Sequence, residues 1–84
     1  MKKVFVNGYG SIGSRIAQFI KDDPEIEIIG VGKYSPDSKV NEAIENGFKV
    51  FVPEKNQNAF SDFNISGNIE SALDAVSYTH LRAH

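Results

Sequence analysis

The segment Val4–Gly13, VFVNGYGSIG, constrains this chain more than any other. An apolar run, Val4-Phe5-Val6, enters a turn carrying Gly8, Gly10 and Gly13, and a helical pattern follows, with Ile12, Ile16, Phe19 and Ile20 on one face. A strand, a G-x-G-x-x-G loop and a helix in that order form the phosphate-binding corner of a dinucleotide site. Gly8 permits the tight turn off the strand, Gly10 lets a pyrophosphate approach the backbone, and Gly13 lets the helix pack closely on the sheet. The helix N-terminus around Ser11 and Ile12 offers unpaired N–H groups and a partial positive charge to phosphate, with Ser11 expected as the N-cap.

The rest of the chain continues the pattern. The first strand is expected over residues 3–7 and the first helix over 11–21, ended by Asp22-Asp23-Pro24 because a residue before proline avoids the helical region. A β-branched run, IEIIGVG, predicts a second strand over 26–32, and this β-α-β unit implies parallel strands with a right-handed crossover. A second helix is predicted over 38–45, with Val40, Ala43 and Ile44 apolar and Gly47 near its C-terminal end. A third strand is expected over 49–52, stopped by Pro53, then a short helix over 54–60 and the start of another over 69–74. The fold class is therefore α/β: a Rossmann-type βαβ dinucleotide-binding fragment with a parallel sheet, an incomplete domain whose third strand is left with an uncovered edge or face.

The 84 residues allow one small domain, marginal as a single core. There is no cysteine, hence no disulfide, thiolate zinc site or cysteine nucleophile within the chain. Nine basic and eleven acidic residues, spread along the chain, argue against a nucleic-acid surface. No apolar run has membrane-spanning length, and the N-terminus enters a strand directly rather than a signal peptide; an intracellular, cytoplasmic protein is expected. No metal-ligand cluster or acid–base carboxylate pair is visible in the spacing.

Cofactor choice turns on the end of the second strand. NAD-specific folds place Asp or Glu about 20 residues beyond the motif to hold the ribose 2′-hydroxyl. Here Lys33-Tyr34-Ser35 occupies that place. A lysine attracts a 2′-phosphate that a carboxylate would repel, Ser35 adds a hydroxyl donor, and Tyr34 offers a ring to the adenine. NADP acceptance is expected, with Lys33 as the phosphate contact; the plain alternative is a solvated lysine. Asn7 either braces the loop or meets the cofactor, and Arg15 is read as packed along its stem and solvated at its head.

Three elements carry a family resemblance: Val6-Asn7-Gly8-Tyr9-Gly10-Ser11-Ile12-Gly13; Gly30-Val31-Gly32-Lys33 with Ser35-Pro36; and Val50-Phe51-Val52-Pro53. Over about residues 1–74 they resemble the N-terminal region of archaeal-type phosphorylating glyceraldehyde-3-phosphate dehydrogenase. The resemblance implies an oxidoreductase using NADP or NAD with inorganic phosphate, acting on a small phosphorylated aldehyde through a thioester on a catalytic cysteine, as a cytoplasmic homotetramer. Carried over by residue, Ser11 and Ile12 match backbone contacts to the pyrophosphate, and Lys33 matches the position near the 2′-phosphate. The family's nucleophile, catalytic histidine and substrate-phosphate sites match nothing in this sequence, so the chain alone is expected to be inactive. The rival readings are another Rossmann dehydrogenase or reductase and a non-catalytic nucleotide-binding module.

Residues 76–84, VSYTHLRAH, have no clear helical or strand period and resemble the translated frame of a common transposase-type sequencing adapter. The expected organisation is thus an N-terminal part of an NAD(P)-binding domain over 1–75 and a non-native tail over 76–84, which sets His80 and His84 aside as site residues.

Overall fold

A computed structural model describes residues 2–74 and 79–82. The chain alternates strand and helix: β1 (Lys2–Asn7), α1 (Ser11–Ile20), β2 (Ile26–Gly32), α2 (Ser38–Glu45), β3 (Val50–Val52), a 3₁₀ segment (Glu54–Phe60), β4 (Gly67–Asn68), α3 (Ile69–Asp74) and β5 (Thr79–Arg82). All pairings are parallel, in the order β4-β3-β2-β1-β5. This is a Rossmann-like βαβ fragment. None of the described helices is long and apolar enough to cross a membrane.

Side chains of β1 alternate between two cores, as a pleated strand requires. Val4 and Val6 join Val31, Val40, Ala43, Val50, Val52 and Phe60 on the face covered by α1 and α2. Phe5 packs with Ile69 and Ala72 on the opposite face, under α3. Each fully buried valine or phenylalanine contributes about 1.5–3 kcal/mol relative to exposure. The second face is closed by large rings over small residues. The rings of Phe5 and Phe51 meet edge to face at 5.8 Å, and a Cβ on Gly30 of β2 would stand 2.4 Å from the Phe51 ring. Register between β1 and β2 slips after Val4↔Ile28, so that Phe5 pairs with Gly30 and Ile29 is the extra residue.

The predicted strands and helices all occur, with ends shifted by a residue at β1, α1 and β3, and the short helix expected over 54–60 is a 3₁₀ segment. The expected apolar face of α1 is corrected. Its buried residues are Gly13, Ser14 and Ala17; Ile12 and Phe19 are exposed, at 56% and 79%, and Ile16 and Ile20 are half-buried. The helix lies close enough to the sheet that small residues, not the large ones, face it. The third strand is also not left at an edge, because β4 pairs with it through Phe51↔Gly67 and Val52↔Asn68. Neither β4 nor β5 was expected. β5 falls within the segment read as aperiodic and pairs with β1 from Val4↔Thr79 to Asn7↔Arg82. A free parallel edge is satisfied by backbone groups alone and asks little of side-chain alternation. Of the expected tail, residues 76–78 and 83–84 lie outside those described, as does residue 75 before it.

Candidate functional site

In an open parallel sheet, ligands bind beyond the carboxyl ends of the strands. Two loops meet there: residues 8–10, after β1, and residues 33–37, after β2. The first leaves β1 at Gly8, whose φ of +116° is disfavoured for side-chain-bearing residues. The Gly8 and Tyr9 N–H groups both donate to the Gly32 carbonyl at the end of β2 (3.2 and 2.7 Å), and the Gly10 N–H returns to the Gly8 carbonyl (3.1 Å).

Gly10 is the N-cap of α1, with no side-chain cap bond. This corrects the expectation for Ser11, which is the exposed first residue of the helix; its carbonyl accepts the Ser14 hydroxyl (3.1 Å). The first rung of the helix runs from the Ser14 N–H to the Gly10 carbonyl (2.9 Å). The N–H groups of Ser11, Ile12 and Gly13 therefore precede the ladder and have no acceptor among the described residues. A Cβ built on Gly10 meets nothing within 4 Å, so open space adjoins these three donors. Three unpaired N–H donors at a helix N-terminus are an arrangement that a phosphate fits.

On the second loop Lys33 is buried, at 5% exposure, although Tyr34, Ser35, Pro36 and Asp37 beside it are exposed. Its ammonium sits 2.8 Å from Asp37 Oδ1. The alternative of a solvated lysine is thereby corrected, and the ammonium is paired. The same Oδ1 accepts the Lys39 N–H (3.0 Å) and caps α2. Burial raises the Asp37 pKa, but the hydrogen bonds from Lys33 and the Lys39 backbone outweigh it and hold the carboxyl below its ordinary range. Ser35 contributes its carbonyl to the turn, accepting the Asp37 N–H (3.0 Å).

The two loops are tied by side chains. The Tyr34 hydroxyl donates to Asn7 Oδ1 at 2.5 Å, and Asn7 is buried. A Cβ on Gly32 would stand 2.8 Å from that oxygen and 3.2 Å from Ile69 Cδ1, so Gly32 makes room for the brace. Of the two roles considered for Asn7, this geometry displays the brace. Arg15 is exposed. Tyr9, inside the glycine loop, went unread: it is 1% exposed and packs edge to face on Phe48 (6.0 Å). Its hydroxyl is buried with no partner in hydrogen-bonding geometry among the described residues. Burial raises its pKa, reinforced by the charge of Glu42. The alternation of Tyr9 with two glycines hid it, since the middle residue of G-x-G reads as loop.

An open groove of about 610 Å³ lies elsewhere, among residues that include Lys21, Pro24, Ile26 and Phe48. These flank the start of β2, at the amino ends of the strands, away from the end where such sheets bind ligands.

No family model matches the sequence. Among known proteins, the chain is 40% identical over 73 residues to glyceraldehyde-3-phosphate dehydrogenase of Sulfolobus acidocaldarius, a match covering 84% of this chain and 21% of that protein. It is 43% identical over 73 residues to the Sulfurisphaera tokodaii protein of the same name, with the same coverage. Against that of Methanobacterium bryantii it is 36% identical over 80 residues, covering 90% of this chain and 23% of that protein. The chain thus spans about a fifth of the length of the curated relatives it matches. It resembles the N-terminal portion of archaeal glyceraldehyde-3-phosphate dehydrogenases.

Proposed function

We propose that the chain is the cofactor-binding part of an NAD(P)-dependent phosphorylating glyceraldehyde-3-phosphate dehydrogenase, whose other parts carry the catalytic residues. The observation that carries this reading is the juxtaposition of an uncapped α1 N-terminus with open space at Gly10, in a segment 36–43% identical to enzymes of that name. In this reading Gly8 and Gly10 shape the loop, Gly13 lets α1 approach, and the N–H groups around Ser11 and Ile12 hold the pyrophosphate. Lys33, Tyr34 and Ser35 border the adenosine ribose. Because Lys33 stands where NAD-selective folds place a carboxylate, the cofactor is NADP or NAD. The nicotinamide supplies a hydride acceptor when bound. The present residues bind and orient it, and no cysteine in the chain serves as nucleophile. The whole enzyme converts glyceraldehyde 3-phosphate, phosphate and NAD(P)⁺ to 1,3-bisphosphoglycerate and NAD(P)H, as a cytoplasmic homotetramer that engages neither nucleic acid nor membrane.

The test is direct. The full-length protein carrying this segment should reduce NADP or NAD only when both glyceraldehyde 3-phosphate and phosphate are present. Reduction that ignores phosphate, or none at all with that aldehyde, refutes the assignment. The same reading treats residues 76–84 as a non-native tail after a native segment; a continuous genomic read that encodes VSYTHLRAH after codon 75 would refute it.

A further inference from the structure

The end of β2 carries an arrangement that a simple phosphate-binding lysine does not require. The Lys33 N–H is fixed to the Phe51 carbonyl at 2.8 Å. Its side chain runs beneath an exposed loop to a carboxylate four residues on, which is itself anchored as the N-cap of α2. The Lys33 side chain is 6% exposed and that of Asp37 is 52% exposed, so the carboxylate, not the ammonium, is the member of the pair that meets solvent. The next cation along, Lys39, is occupied by Glu42 at 3.2 Å and adds no free positive charge.

We propose that Asp37 is a positioning residue that sets cofactor preference, holding Lys33 in a neutral pair so that the site accepts NAD and NADP alike. This rests on the dinucleotide reading given above. A lone ammonium attracts a 2′-phosphate with an energy that falls as the inverse of distance. With an opposite charge 2.8 Å away it acts as a dipole, whose pull falls off faster. The added phosphate of NADP, with its charge of about −1.5 to −2, therefore gains little. The free hydroxyl of NAD meets no unneutralised charge and loses little. Asp37 acts through Lys33, without needing to touch the cofactor.

The substitution Asp37→Asn separates charge from cap, because Asn caps helices as well as Asp does. In the full-length protein, calorimetric dissociation constants for NADP and NAD should diverge. NADP is expected to tighten about tenfold, close to 1.4 kcal/mol, and NAD to stay within about twofold. The gain should shrink at high salt, since it is electrostatic. Lys33→Gln should move the ratio the other way, weakening NADP more than NAD. NAD binding also reports whether each variant is folded. An NADP/NAD ratio unmoved by Asp37→Asn, or one that falls, overturns the proposal while leaving the dinucleotide site standing. Failure of the unsubstituted protein to bind either dinucleotide overturns the dinucleotide reading itself.

Discussion

Gly10→Ala separates the roles of fold and site more sharply than any other single change. A Cβ at Gly10 meets no atom within 4 Å, and its φ of −112° lies outside the left-handed region, while its ψ of −148° sits just past the usual extended range. The folded chain therefore has room for the methyl group, and the backbone strain it adds is offset by about 0.4–1 kcal/mol from a less flexible unfolded chain. That methyl group would occupy the open space beside the N–H groups of Ser11, Ile12 and Gly13. A phosphate displaced by it loses one or two charge-assisted hydrogen bonds, each about 1.5–3 kcal/mol in its own right. A net loss of about 2–3 kcal/mol corresponds to a dissociation constant raised about 30–150-fold. The assay compares thermal melting of the cofactor-free full-length protein with calorimetric titration of NADP and NAD. Melting should be unchanged or slightly higher, and both dinucleotides should weaken together, because the pyrophosphate is common to them. Binding within about threefold of the unsubstituted protein, with melting preserved, would refute the argument that this space is where phosphate sits.

Gly30→Ala should do the reverse: its Cβ would stand 2.4 and 2.7 Å from Phe51 ring atoms, so overpacking should cost about 1–3 kcal/mol, read as a lower melting temperature with little change in cofactor affinity per folded molecule. Tyr34→Phe removes the donor to the buried Asn7 Oδ1 and should cost about 1–3 kcal/mol, measured by urea unfolding; the loss should largely vanish in a background where Asn7 is already replaced. Asp37 has a depressed folded pKa, so its contribution is present above the unfolded carboxylate value of about 3.9 and is lost as pH falls through the lower folded value. The acid limb of the stability curve should therefore flatten in Asp37→Asn, and an unchanged limb would refute the linkage.

Much of the fold was legible because punctuation and period agree. Glycines and prolines bound β1, β2 and β3, and α2 shows Val40, Ala43 and Ile44 at helical spacing. The facing of α1 misled because its apolar residues are large, whereas the close approach permitted at Gly13 selects the smallest side chains for contact. The two-residue β4 is too short to carry any period. At the site, the glycine loop was readable as local chemistry. The Tyr34–Asn7 bond spans 27 positions and leaves no local trace. Lys33 was placed by its distance from the glycines, but its burial was not foreseen. The one available signal was Asp37, an N-cap residue four positions ahead that the turn through Ser35 and Pro36 brings back to the lysine.

The Gly32 carbonyl accepts two N–H groups from the glycine loop at once, and the Tyr34–Asn7 bond crosses the same gap from the other side. Neither loop can swing without breaking bonds held by its neighbour. A ligand long enough to touch both meets one stiff surface, and little loop-ordering entropy opposes its binding. A disturbance at either end should consequently appear at the other as a shift in backbone amide resonances.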